Sequence, residues 1–437
     1  MQTIDLVVIP KWILSMDDKQ TTHVDHAIAV DKGNILSVAP LDQINQHYIA
    51  KQTVHRPHHV VLPGFVNAHT HTAMNLLRGL CDDIALMDWL NQYIWPAEKK
   101  WLSPAFIRDG MTLAIAEMFK SGTTCFNDMY FCPEVAAEVV DELGIRAAIG
   151  MTVFDVATPF GQDAADYLKR GIPLFTQWAK HDRIQLTLAP HAIYTTSDHT
   201  LSQIKEVSET YHARINMHVQ ETADEVHQSL AATGKRPLER LDSLGLLSDQ
   251  FIAVHMTQMT AEEISLSAEK KIHIVHCPES NMKLASGICP AQTLIDAGIN
   301  VALGTDGAAS NNDLDMITEM RSAAFLAKVS TQNPTSLSAH TALAMATRNG
   351  AHALGQGHRF GQVAMDMAAD FIAIDLNYLQ TIPTYHPHSA IVYAADRQQI
   401  SDVWVAGKQV VKDHELTTID EEKLRRTVEV WKRKIGG

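Results

Sequence analysis

The sequence predicts an α/β protein: a (β/α)8 TIM-type barrel with a small composite β domain built from the N- and C-terminal segments. Three observations carry that prediction. Eight short apolar runs recur between residues 60 and 310, with helix-like stretches between them. The chain before residue 60 reads as short strands, and strands return after residue 365. The first barrel-type run leads into "NAHTHTAMN", not the glycine-rich phosphate turn that a doubly wound sheet would want.

Residues 1–59 supply "IDLVVIP", "WILSM", "HAIAVDKGNILSVA" and the start of "HVVLPG" as strands, with "DKGN" a hairpin-type turn. Residues 60–365 form the barrel. Its strands are "VVLPGFVNAHTH", "GTTCFNDMY", "IRAAIGMTVF", "IQLTLAPHAIY", "ARINMHVQET", "FIAVHMTQM", "IHIVHCPESN" and "NVALGTDGAAS". Helix candidates between them include "SPAFIRDGMTLAIAEMFKSG", with Ser103 as N-cap and Gly122 as stop, and "TLSQIKEVSETYHA". Residues 366–437 return to strands in "ADFIAIDL", "IVYAA" and "ISDVWVAGKQVVKD", with "AGKQ" a tight turn. The closing helix "DEEKLRRTVEVWKRKI" starts acidic and ends basic, as the helix dipole prefers.

Composition excludes several functions. With 36 basic and 50 acidic residues the formal charge is −14, a field that repels nucleic acid. A neutral or cationic small molecule is the easier partner. No apolar run reaches the ~18 residues needed to cross a membrane. The N-terminal stretch lacks a basic region and a small-residue cleavage site, and the five cysteines show no CxxC spacing. A cytoplasmic location follows as the expectation, and a homo-oligomer is the expected assembly.

The 23 histidines alone decide little, because on the order of one HxH pair arises by chance. His386 and His388 in "YHPHS" read as loop. His69 and His71 differ, since residues i and i+2 of a strand point to one side, here at a strand exit. Active sites of barrels sit at those exits. His191, His218, Glu221, His255, His276 and Asp306 fall at the exits of the fourth to eighth strands.

With "PGFVNAHTHTAMNLLRG", "APHAIYTTS", "NMHVQET", "VHCPESNMKLASG" and "GTDGAASNNDLDM" in place, the chain resembles the amidohydrolase superfamily over nearly its whole length. Within it, the chain looks like the deaminases of 5-methylthioadenosine and S-adenosylhomocysteine. The resemblance implies one zinc ion per chain, held by His69, His71, His218 and Asp306; another divalent metal would share that chemistry. Binuclear relatives carry a bridging lysine on the fourth strand, and "RIQLTLAPHAIY" has none.

The resemblance further implies that Glu221, three residues beyond His218, moves a proton between water and ring nitrogen. Asp306 doubles as ligand and base, and His255 steadies the developing charge. For the substrate, a small-molecule nucleoside, Glu98 in "WPAEKKW" matches a position that accepts ribose hydroxyls, and His191 one that contacts the nucleoside. Trp89 and Ser310 are pocket-wall candidates, and the apolar stretch from Met74 to Trp95 is a candidate lid.

Two rivals stay open: a hydrolase of guanine-like or triazine-like rings, which lack a diol for Glu98, and a non-catalytic barrel scaffold. Segment 150–170, "GMTVFDVATPFGQDAADYLKR", has no basic residue before Lys169. That departs from what a carboxylate-bearing 5′ tail requires, so the expected preference is for 5′-methylthioadenosine.

Overall fold

The computed structural model describes residues 1–436. Two sheets organise it. The first is an eight-stranded parallel sheet whose strands neighbour one another in chain order, from Phe65–Thr70 to Val301–Leu303. The second is a nine-stranded mixed sheet made from both ends of the chain. In that sheet Phe371–Asp375 pairs antiparallel with the end of Tyr48–Pro63, which is what joins the terminal segments. The Arg56 guanidinium adds a second tie, with Nε 2.6 Å from the fully buried Asp402 Oδ2.

Local sequence logic holds at most elements. Ser103 accepts a hydrogen bond from Phe106 N at 3.2 Å and opens the helix Pro104–Lys120. Lys32 and Gly33, at φ 49° and 81°, make the first hairpin turn. The closing helix Glu421–Gly436 buries Leu424 and Trp431, and Trp431 Nε1 donates to Asp109 Oδ2 at 2.7 Å.

Several readings are corrected. "IDLVVIP" and "WILSM" are not separate strands; one strand, Gln2–Leu14, runs through both with a register shift between Pro10 and Trp12. Proline there removes one ladder donor without ending the strand. "VVLPGFVNAHTH" is split: Val60–Pro63 finish the mixed-sheet strand, and the barrel strand starts at Phe65. Gly64 makes the crossing, where a Cβ would lie 2.2 Å from the Thr124 side chain. "IVYAA" is not a strand, since Ile391–Tyr393 end the helix Pro387–Tyr393. Pro387 suits a first helical position, so "YHPHS" is a helix start and not a loop.

The seam between the last and first barrel strands positions the site. Asn67 Nδ2 donates to Thr305 Oγ1 at 2.7 Å, Thr305 N donates to Asn67 Oδ1 at 3.0 Å, and Asp306 N donates to His69 O at 3.1 Å. Gly304 lies so close that a Cβ there would sit 2.8 Å from His69 N and O. Gly304→Ala must therefore push the seam apart. The expected cost is about 1–3 kcal/mol of overpacking, read as a lower midpoint in thermal or denaturant unfolding; an unchanged midpoint would show a seam able to yield.

Candidate active site

Every sequence-predicted metal ligand arrives at one point. His69, His71, His218 and Asp306 each offer a ligand atom, all within 4.8 Å of one another. His69 Nε2 and His218 Nε2 are 3.1 Å apart. Asp306 Oδ1 is 3.1 Å from His71 Nε2 and 3.6 Å from His69 Nε2. Two imidazole nitrogens facing each other at such range put two lone pairs on one point, which a cation would satisfy.

The surroundings fit that donor set. His71 Nδ1 donates to Met129 O at 2.6 Å, so Nε2 is the nitrogen that faces Asp306. Asn216 Nδ2 lies 3.4 Å from His69 Nδ1, while Asn216 Oδ1 is buried without a partner. Turning that amide gives the His69 Nδ1–H an acceptor and frees Nε2 as a ligand. Asp306 Oδ2 accepts from Ser280 Oγ at 2.6 Å and Ser310 Oγ at 2.9 Å, so Oδ1 alone faces the histidines. Three nitrogens and one carboxylate oxygen are the donor chemistry of a catalytic zinc site.

Burial sets the charge states around this cluster. Burial lowers His69 to about 4, His255 to about 4 and His191 to about 3, so these rings are neutral near pH 7. For Asp306 burial favours the acid, but the His69 and His71 rings beside it outweigh burial and hold the carboxyl well below its usual range. Glu221 goes the other way: burial first, then the Asp306 charge, raises it to about 8.

The remaining sequence candidates line one cavity with these groups, including Trp89, Glu98, His191, Glu221, His255 and Ser310. His255 Nε2 is 3.8 Å from Glu221 Oε2, and His255 Nδ1 lies 3.0 Å from the Asn281 side-chain amide. Glu98 accepts from Tyr130 OH at 2.7 Å, and burial raises it to about 7. Ser310 bonds to Asp306 as well as lining the wall.

The lid is only partly as expected. Met74, Trp89, Leu90 and Trp95 face the cavity, whereas Leu76, Leu77, Leu80 and Met87 pack into the core. The helix Leu86–Trp89 passes through a π turn, Leu90–Ile94, into the helix Trp95–Trp101. Such turns recur at functional sites because they re-aim a helical face. His276 ends its strand but lies outside the cavity lining, buried in the core.

The sequence reading missed Asn67, Asn216, Ser280, Tyr130, Phe131 and Phe154. For two of them a signal existed. Asn67 and Asn216 each stand two residues before a ligand histidine, on the same strand face.

Comparison with known proteins agrees with this geometry. The Amidohydrolase family profile matches residues 60–410. The chain belongs to the amidohydrolase family. Among curated members of that family, 5-methylthioadenosine/S-adenosylhomocysteine deaminases from Teredinibacter turnerae and Saccharophagus degradans are each 42% identical to it. The first match covers 99% of this chain and 98% of that one. The second covers 99% and 97%. A crystal structure of an adenosine deaminase from Xanthomonas campestris with bound zinc superposes with a TM-score of 0.98, at 44% identity and 99% coverage of both chains. A triazine hydrolase from Arthrobacter aurescens, at 21% identity and TM-score 0.92, covering 98% of this chain and 99% of that one, shares the fold.

Asn216→Ala removes the group beside His69 without touching a ligand. Metal affinity, read by competition with a chelator, is expected to fall about 10–100-fold. Unchanged affinity would mean that His69 is oriented by packing alone.

Proposed function

We propose that this amidohydrolase deaminates the adenine ring of neutral 5′-modified adenosines, 5′-methylthioadenosine foremost, giving the inosine analogue and ammonia. The observation that carries the reading is one cavity holding the His69, His71, His218 and Asp306 cluster, Glu221 and His255 at one end, and Glu98 on the lid. The curated names of the full-length relatives and the zinc in the Xanthomonas structure point the same way. We propose a single zinc ion, because the fourth barrel strand, Ile184–Pro190, offers no lysine to bridge a second.

When bound, the metal supplies a water that is nucleophilic near neutral pH. Glu221, held near its acid–base midpoint by burial, carries a proton to the ring nitrogen beside the carbon under attack. Asp306 accepts the water's proton through the oxygen that faces the histidines. His255 Nε2–H donates to the oxygen as charge develops on it. Water adds at the amine-bearing carbon; the amine then takes the proton held by Asp306, the carbon–nitrogen bond breaks, ammonia leaves, and the remaining proton of the added hydroxyl returns to Glu221. Buried side chains at the cavity floor keep bulk water from competing.

Glu98 accepts the ribose diol, a contact that a guanine-like or triazine-like ring would leave unmade. Because burial raises Glu98 to about 7, its carboxylate acceptor form is lost as pH falls through that value. The kcat/KM for the nucleoside should fall in parallel. In Glu98→Gln that acid limb should disappear, with kcat/KM lower by about 10–100-fold. A limb unchanged in the variant would assign it to another group.

The 5′ preference follows from charge. The cavity lining contains three carboxylates, Glu98, Glu221 and Asp306, and neither lysine nor arginine. Nearby cations are engaged elsewhere: Arg78 with Glu117, Lys283 with Asp82, Arg170 with Asp166. Arg146 begins its strand, at the opposite end of the barrel, where it pairs with Asp370 at 2.7 Å. A methylthio group needs only the apolar wall that Phe131, Phe154 and Leu284 provide. Loss of adenine absorbance on each substrate should give a kcat/KM for 5′-methylthioadenosine at least about tenfold above that for S-adenosylhomocysteine. Equal efficiency would show that another basic group, Arg78 or Lys283, reaches the amino-acid tail. Ammonia from guanine or triazines but from no adenosine would overturn the reading itself.

A further inference from the structure

Glu225 does something that its place in the helix does not require. It is the third residue of the helix Ala223–Thr233, with Thr222 as N-cap accepting from Glu225 N at 3.2 Å. A glutamate there ordinarily reaches back to the N-cap backbone N–H. The same protein shows that arrangement at Thr260, whose N donates to Glu263 Oε2 at 2.9 Å. Glu225 passes over its N-cap. Its Oε1 accepts from Gln220 N at 2.9 Å and its Oε2 from Glu221 N at 2.7 Å.

The two amides it holds belong to the turn just beyond the strand Ile215–Val219, which carries His218. Gln220 sits there at φ 52°, a left-handed conformation that costs a non-glycine residue energy and needs an external hold. The other side of the turn is also held, because Thr257 Oγ1 donates to Glu221 O at 2.7 Å. The Glu221 carboxylate itself has only long contacts, 3.4 Å from Ser286 Oγ and 3.8 Å from His255 Nε2. Its aim therefore depends on a fixed main chain. Glu225 is 4% exposed and does not itself line the cavity.

We propose that Glu225 is a positioning residue that fixes the direction of Glu221 by holding the Gln220 and Glu221 amides, and so sets the turnover rate without touching substrate. This rests on the reading of Glu221 as the proton carrier.

A double-mutant cycle tests it, with zinc content and Tm measured on every variant and 5′-methylthioadenosine as substrate. Glu225→Gln keeps the size but turns one acceptor into a donor that faces an N–H. It should lower kcat by about tenfold or more, the scale of a slightly misplaced catalytic group. KM should stay within about threefold, since the substrate contacts are untouched. In a Glu221→Gln background the same change should cost less than about twofold, because the residue it acts through is already disabled. Glu225→Ala, which loses both acceptors, should behave the same way with a larger first effect. An equal loss in both backgrounds overturns the proposal alone, and so does a rate loss that tracks lost zinc or a collapsed Tm. A wild-type rate for Glu221→Gln overturns the reading of Glu221 and this proposal with it.

Discussion

The site depends on one close approach, that of Gly304 to the backbone of His69. A barrel closes only where its last strand can lie against its first, and here that contact is backbone to backbone with no side chain between. Asn67 and Thr305 lock the seam through reciprocal hydrogen bonds. The consequence is chemical. Asp306, just past the end of the eighth strand, is brought within 3.1 Å of His71 Nε2, which lies just past the end of the first. Residues more than 230 positions apart offer donor atoms to one point.

From that point outward, order is imposed in layers. Main-chain carbonyls and side-chain amides orient the imidazoles, as Met129 O does for His71. Two serines occupy the outer oxygen of Asp306. Beyond them, the backbone is strained at the strand exits. His255, Met256, Gln220 and Asp306 all have positive φ, and His255 and Asp306 line the cavity. Strain of this kind survives only where hydrogen bonds over-determine the backbone, and the holds at Gln220 and Glu221 are the clearest instance.

Electrostatics then separates the roles of three carboxyl groups in one cavity. Asp306 is held ionised by the neighbouring histidine rings despite its burial. Glu221 is pushed to about 8 by burial and the neighbouring Asp306 charge, so it titrates near neutral pH. Glu98, farther off on the lid and bonded to Tyr130, is raised to about 7 and remains an acceptor above that. The absence of lysine and arginine from the lining makes the whole cavity hostile to an anionic substrate.

The sequence by itself determined the alternation of strands and helices, the strand exits as places of chemistry, and all four cluster residues with Glu221. Those features are local: a period of two along a strand, a histidine pair at i and i+2, a glutamate three residues past a ligand. Its local errors were also of one kind. "VVLPGFVNAHTH" reads as one apolar run, yet two sheets divide it at Gly64, and "IVYAA" has strand-forming residues that a neighbouring proline and a packed helix face draw into a helix. What only the tertiary structure decided is which distant groups meet. Asn216 beside His69, Tyr130 under Glu98, the lid residues that turn inward after a π turn, and the cations already engaged with Glu117, Asp82 and Asp370 are all products of packing between elements far apart in the chain. Periodicity fixes the side of a strand or helix that a residue occupies; only the closed barrel and its covering helices fix what stands opposite.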